Sequence, residues 1–343
     1  MSRTPIEIDV RPLDPSAVAL DLSGNLYSDI EGLFIDRIAP LDPAVRTIIT
    51  NFQSVEGIGI LGIHALTVLA ARLDQQGRRL AAVGLSAPQR QIFRLTRLDE
   101  AISPFDDEKG ALAARGFRKN QRTSSPEAGV GGKPAPGWTL PVAGLWVEDL
   151  PGRAVNLNVQ GQETTGPVRG FGRLWDKSYR LRLNRPDLAP AEVIRVWRSN
   201  FPVFWPEGNH VYTSKGAAVE PGTAALLNLK MPGGLVLATG ILVIYADETS
   251  FSFITARGHI LSAWIIFSAF RDDGSGTVAQ VRALLRAADP LAEAGFRLGA
   301  GAQEDRFWEH TLQALAGRFQ APAGTVEQED LLIDPRVRWK EFG

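Results

Sequence analysis

The chain has 343 residues, 44% apolar and 22% charged, with 37 basic against 38 acidic side chains. That length exceeds one ordinary core and predicts two domains, while the charge balance withholds the basic surplus that recruits nucleic acid or an anionic membrane. Cysteine is absent, which excludes disulfides and thiolate-based metal or nucleophile chemistry.

The opening MSRTPIEIDVRP has no apolar core of signal-peptide length, and no run of 18 apolar residues occurs. The expectation is a cytoplasmic protein with no membrane span. From 6 to 114 the pattern reads strand 6–13, strand 17–22, helix 28–38, strand 45–52, helix 58–75, strand 79–85, helix 88–95, short strand 101–105 and helix 107–114. At its centre are β-branched Val45, Thr47, Ile48, Ile49 and Thr50, then a turn at QSVEG (53–57). Apolar residues follow at helical steps through Ile58, Leu61, Ala65, Leu69 and Leu73. Gly57, Gly59 and Gly62 spell G-x-G-x-x-G there, the context of a dinucleotide fingerprint. The next strand, however, ends Val83-Gly84-Leu85-Ser86 without the acidic residue that would hold a ribose.

This order of elements, with the downstream IFRLTRLDEAISPFDD, resembles the STAS domain of anti-sigma factor antagonists over residues 1–114. In that family the central turn reads Asp-Ser-Ser-Gly, and a partner kinase phosphorylates its second serine. The matching positions are read as Ser54, Val55, Glu56 and Gly57. The resemblance therefore implies a docking surface for an anti-sigma or kinase-like protein, with a fixed charge at the switch. Glu56 carries one negative charge where a phosphoserine would carry about −1.5 to −2, and Ser54 keeps a hydroxyl. An alternative has Glu56 complement the positive end of the helix, worth about 0.3 to 1 kcal/mol.

Residues 115–137 are rich in Gly, Pro, Ser and charge and read as a flexible linker. Its Arg115, Arg118, Lys119 and Arg122 form a basic cluster, either solvated or a site for an acidic partner. Residues 138–172 regain apolar side chains, but glycine and proline interrupt every periodic run. They read as an extended arm with one or two short strands that wraps the next domain. From 173 to 322 come a strand (LWDKSYRLRL), a helix begun by Pro190, strands at 210–213, 223–229, 235–245, 250–256, 262–270 and 277–287, and a long helix at 303–319. The tail, 323–343, is expected to lie across the surface through Ile333, Val337 and Trp339.

That second order resembles the helix-grip fold of the START-like SRPBCC superfamily, which includes polyketide cyclases, aromatases and lipid-transfer proteins. Phe204-Trp205-Pro206, Pro221-Gly222 and Asp289-Pro290 carry the resemblance beside the order itself. The fold class expected for the chain is thus α/β plus α+β. An N-terminal STAS-like mixed sheet with helices precedes a helix-grip antiparallel sheet wrapped on a long C-terminal helix.

The helix-grip resemblance implies a cavity for an apolar small molecule. Candidate lining residues are Trp205, Phe253, His259, Trp264, Phe307 and His310; strand alternation leaves open which sheet face looks inward. The aromatic supply, with six of eight tryptophans at or beyond Trp175, suits either a pocket or a filled core. The four histidines lack metal-ligand spacing, and no nucleophile motif occurs. No catalytic residue, metal or cofactor is assigned. The expectation is a non-catalytic regulatory protein that couples partner docking to ligand binding. Alternatives are a cyclase/aromatase-type enzyme or lipid carrier with the STAS-like part as a tether, and a structural scaffold.

Overall fold

A computed structural model describes residues 4–28, 30–114, 133–156, 159–214, 219–272, 276–321 and 324–338. The chain divides into two compact units, 1–136 and 137–343. Most of the expected linker, with Arg115, Arg118, Lys119 and Arg122, lies outside the described residues, as does Trp339.

The first unit is a five-stranded mixed sheet in the order β1 (Glu7–Asp14), β2 (Ala17–Leu26), β3 (Thr47–Ile58), β4 (Arg79–Val83), β5 (Ser103–Pro104). The first pair is antiparallel and the rest are parallel, as short hairpin and helical crossover connections require. Helices α1 (Glu31–Ile38), α2 (Ile60–Gln75), α3 (Ala87–Leu95) and α4 (Glu108–Ala113) alternate with the strands. Local chemistry starts two of them. Gln89 Oε1 accepts from Ser86 N at 2.8 Å ahead of α3, and Asp107 Oδ1 accepts from Gly110 N at 2.7 Å ahead of α4. α2 buries Ile60, Ile63, Leu66, Val68, Leu69 and Leu73.

Residues 53–57 are not a turn. β3 runs on to Ile58, pairing Ser54 with Ser23 and Val55 with Gly24, and the helix begins only at Ile60. The polar, glycine-bearing run is a bulged strand: Gly24 faces Val55 and Asn25 faces Gly57, which leaves Glu56 as the extra residue.

The second unit is an antiparallel sheet. Its order is β14 (Glu327–Asp334), β7 (Leu174–Leu183), β13 (Thr277–Ala287), β12 (Leu261–Arg271), β11 (Ser250–Ala256), β10 (Val236–Ala246), β9 (Ala224–Lys230), β8 (His210–Thr213), and the two-residue β6 (Thr164–Thr165) pairs with β11. α5 (Pro190–Ser199), a 3-10 turn (Phe201–Phe204), α6 (Pro290–Gly295) and α7 (Gly301–Arg318) complete it. Both sheet faces are buried. Tyr179, Leu181, Phe251, Phe253, Ile265, Phe267 and Val281 form one core with Trp197 of α5 and Leu312 and Leu315 of α7. Residues 138–172 supply side chains to the opposite face: Val147 and Val159 pack with Leu226, and a Cβ on Gly240 would fall 2.7 Å from Val159 Cγ1.

The tail does not simply lie across the surface, because β14 adds a strand beside β7. Charge fixes its register. Asp330 stands opposite Lys177 with its Oδ2 3.5 Å from Nζ, Glu329 reaches Arg180 at 3.7 Å, and Asp334 accepts from the buried Arg286 at 2.8 Å. Burial opposes the charge of Asp334, yet Arg336 and Arg286 overcome it and hold its carboxyl down at about 2.

A methyl group on Gly62 would fall 2.4 Å from Leu26 O, a backbone atom of β2. Gly62→Ala should therefore lower unfolding free energy by about 1 to 3 kcal/mol in urea titration. Gly32→Ala, with nothing within 4 Å of its added Cβ, is the control and should not.

Candidate functional site

The end of β3 presents Gln53, Ser54 and Glu56 to solvent, while Val55 between them is buried. Two contacts hold this ribbon: Gln89 Nε2 donates to Val55 O at 3.0 Å and Asn25 Nδ2 donates to Glu56 Oε2 at 2.7 Å. Glu56 is thus anchored to β2. The strand-to-helix turn itself is Gly59, which caps α2 in an extended conformation and donates to Leu26 O at 2.8 Å, followed by Ile60, Leu61 and Gly62. No acidic side chain lies in the first turn of α2. Packing accounts for two of the three fingerprint glycines: Gly62 lies against Leu26 O, and a Cβ on Gly57 would stand 2.7 Å from Tyr27 Oη.

In the second unit the helix-facing interior is an aromatic cluster. Phe201 lies 5.3 Å from Trp205 and 5.1 Å from Phe253, Trp197 lies 5.2 Å from Phe267, and Trp205 lies 5.0 Å from Phe307, between ring centroids. Most of these pairs are edge-on, the arrangement the ring quadrupoles favour. Within this layer Trp197 Nε1 and Trp205 Nε1 are buried with no hydrogen-bond partner among the described residues. Thr239 Oγ1 is likewise unpartnered; it lies two residues before Ile241 on the same strand face.

Trp205, Phe253 and Phe307 are therefore brought together, and the other three candidates are not. Trp264 is on the opposite sheet face, because its neighbours Ala263 and Ile265 point to the helices. His259 is buried at the turn before β12, where its Nδ1 accepts from Leu261 N at 2.9 Å; burial lowers its pKa to about 4, so it is neutral and structural. His310 is exposed on α7. Residues that sequence reasoning missed are Trp197, Phe201, Thr239 and a charged group at the start of α7. The four-residue spacing of Trp197, Phe201 and Trp205 was the available signal.

That charged group centres on Lys177, which points from β7 to the helix layer and is 3% exposed at its side chain. Asp305 accepts a short hydrogen bond from Lys177 Nζ and another, 2.7 Å, from Tyr179 Oη; Glu304 Oε2 is 3.7 Å from Nζ. Burial disfavours the ammonium charge, but Glu304, Asp305 and Asp330 outweigh it and raise the Lys177 pKa. Burial raises Tyr179 as well, with Glu304 adding to it. Glu304 is pushed up to about 7 by desolvation, which the Lys177 charge only partly offsets. Its Oε1 accepts from Trp308 Nε1 at 3.5 Å, which connects the group to the aromatic layer.

Residues 9–111 match the family model of the STAS domain. That segment is STAS-like. No curated protein matches the chain. Among solved structures, the chain is similar to an anti-sigma factor antagonist from Mycobacterium paratuberculosis, at 20% identity and TM-score 0.28 over 32% of this chain and 93% of that one. It is also similar to the KanY protein, at 16% identity and TM-score 0.33 over 42% and 96%. A further match is the di-domain ARO/CYC StfQ of the steffimycin biosynthetic pathway, at 11% identity and TM-score 0.32 over 42% of this chain and 50% of that one.

Because the folded-state pKa of Glu304 lies above its ordinary 4.5, the folded chain holds that proton more tightly than the unfolded chain. The resulting stabilisation is complete below about pH 4.5 and is lost as the pH rises to about 7. Thermal melts of the wild type should show this loss, and Glu304→Gln should flatten the profile across that window.

Proposed function

We propose that the chain is a non-catalytic regulatory protein in which the STAS domain docks an anti-sigma or kinase-like protein and the C-terminal unit binds an apolar small molecule. The observation that carries the regulatory half is the STAS match over residues 9–111, combined with the composition of its strand-to-helix turn. The resemblance calls for Asp-Ser-Ser-Gly at the central turn. At the turn between β3 and α2 this chain has Gly59-Ile60-Leu61-Gly62, in which only the final glycine agrees. With no hydroxyl there to phosphorylate, docking is not toggled at the turn. Gln53, Ser54 and Glu56 form the exposed polar rim of the same surface, with Val55 and Gly57 holding its backbone.

Support for the ligand half comes from the helix-facing interior, under a helix-grip reading of the sheet order β7-β13-β12-β11-β10-β9-β8 with α7 across it. Two indole N–H groups and a threonine hydroxyl lack partners there, and such groups are ordinarily satisfied. A mostly apolar molecule with one or two hydrogen-bond acceptors suits Trp197, Trp205 and Thr239, with Phe253 and Phe307 against its body. A second reading, a cyclase or aromatase, is favoured by Glu304, whose pKa of about 7 beside Lys177 suits general acid–base work.

Two experiments test the halves separately. Partner capture with the wild type should weaken with Glu56→Ala and Glu56→Ser, since both remove the fixed charge; identical partners and affinities would remove the β3 rim from docking. Native mass spectrometry of gently purified protein should show a retained non-peptide mass. Trp205→Phe, which removes one donor, should lower its occupancy roughly fivefold; a bare chain in both samples would contradict ligand carriage.

A further inference from the structure

Three carboxyl groups converge on one ammonium where β7 meets α7 and β14. Lys177 Nζ bonds Asp305, stands 3.5 Å from Asp330 Oδ2 and lies 3.7 Å from Glu304 Oε2. The acids do not share it equally. Asp305 has the shortest bond and a second from Tyr179 Oη, and Asp330 is 35% exposed and accepts from Gln328 Nε2 at 3.0 Å. Glu304 is 12% exposed and farthest from Nζ, and its Oε2 has no hydrogen-bond partner among the described residues. Asp305 and Asp330 already outnumber the ammonium, so the third carboxyl, in the driest position, is the one that keeps a proton. The groups facing it are Lys177 and Tyr179 on β7, Asp305 and Trp308 on α7, and Asp330 on β14.

β14 is held so that this charge matters. Glu327 to Leu332 are all exposed, only Ile333 and Asp334 are buried, and a register shift between Leu332 and Asp334 separates the two stretches. Asp334 is fixed by Arg286 and Arg336, and Val326 is half-buried ahead of the strand. Between those ends the charged ties to β7 are Asp330 to Lys177 and Glu329 to Arg180. The second joins side chains 53% and 40% exposed, where screening leaves little attraction.

We propose that residues 327–332 of β14 form a pH-operated strap over the edge of β7, closed while Glu304 carries a proton and released when it ionises, with Asp334 as the fixed end. Ionisation takes the group around Lys177 from one surplus negative charge to two, which weakens the hold of Lys177 on Asp330. With the strap open, water reaches Glu304 and Asp330 moves away, so the carboxyl ionises at a lower pH than in the closed form. The closed form is therefore favoured fully below about pH 4.5, and it loses that advantage as the pH rises to about 7, where it gives up the proton. What opens is the outer edge of β7, since β13 pairs with its other side. The inference depends on neither a ligand nor a docked partner.

The test is hydrogen–deuterium exchange of the full chain, read by mass spectrometry on peptides spanning 326–333 at about pH 5 and about pH 7.5 and corrected for intrinsic exchange. Protection there should fall about tenfold across the interval, while peptides of β12 and β13 stay unexchanged over the same minutes. Glu304→Gln should keep the strap protected at both values. Asp330→Asn, at an exposed position, should lower protection at pH 5 and flatten its pH dependence. Equal protection at both values in the wild type, strap amides unprotected at both, or an undiminished fall in Glu304→Gln would each overturn the proposal. So would a fall shared by β12 and β13, because it would assign the titration to the unit as a whole.

Discussion

A buried N–H without an acceptor costs about 1 to 3 kcal/mol, and the aromatic layer of the second unit encloses two of them, on Trp197 and Trp205. The surrounding rings give these donors nothing to bond: Phe201, Phe251, Phe253, Phe267 and Phe307 offer only apolar surface. Phenylalanine at positions 197 and 205 would fill nearly the same space without that cost. The retention of two indoles is the feature around which the functional reading of this unit turns.

The opposite sheet face satisfies most of its buried charge internally, although Trp264 Nε1 and Arg286 Nε stay unpartnered there among the described residues. Asp176 takes two hydrogen bonds from Arg282, at 3.0 and 2.7 Å, and Arg286 reaches both Asp334 and Gly172 O. These buried pairs are costly to break and contribute more to register than to net stability. Asp176 and Arg282 join β7 to β13, and Arg286 with Asp334 ties β14 back to β13, so that β14 covers the edge β7 would otherwise leave open. One face is thus crossed by ion pairs made within the chain, and the other gathers the two indole donors of Trp197 and Trp205 among aromatic rings.

Much of the architecture was legible because its signals are local. Pro190 in a first helical turn, alternation through Leu174–Leu183, and the three- and four-residue steps of α2 each report one element. The site was less legible because its determinants are long-range. Gln53 to Gly57 look like a turn by composition, yet pairing with β2 and the Gln89 hydrogen bond make them strand, which moves the strand-to-helix turn to Gly59. Which face of β12 looks toward the helices depends on pairing with β11 and β13, so Trp264 and Phe267 exchange roles on a one-residue change of register. Lys177 reads as an outward strand residue until the carboxylates of α7, over a hundred residues later, are placed above it.

The most direct measurement of the central claim is the ¹⁵N–¹H spectrum of the tryptophan indoles, recorded on protein as purified and again after removal of apolar small molecules by organic extraction and refolding. Trp197→Phe and Trp205→Phe assign the two resonances. If an acceptor-bearing molecule completes the interior, both indole protons shift and lose exchange protection on extraction while the other tryptophans hold still. Unchanged resonances for both would contradict the account.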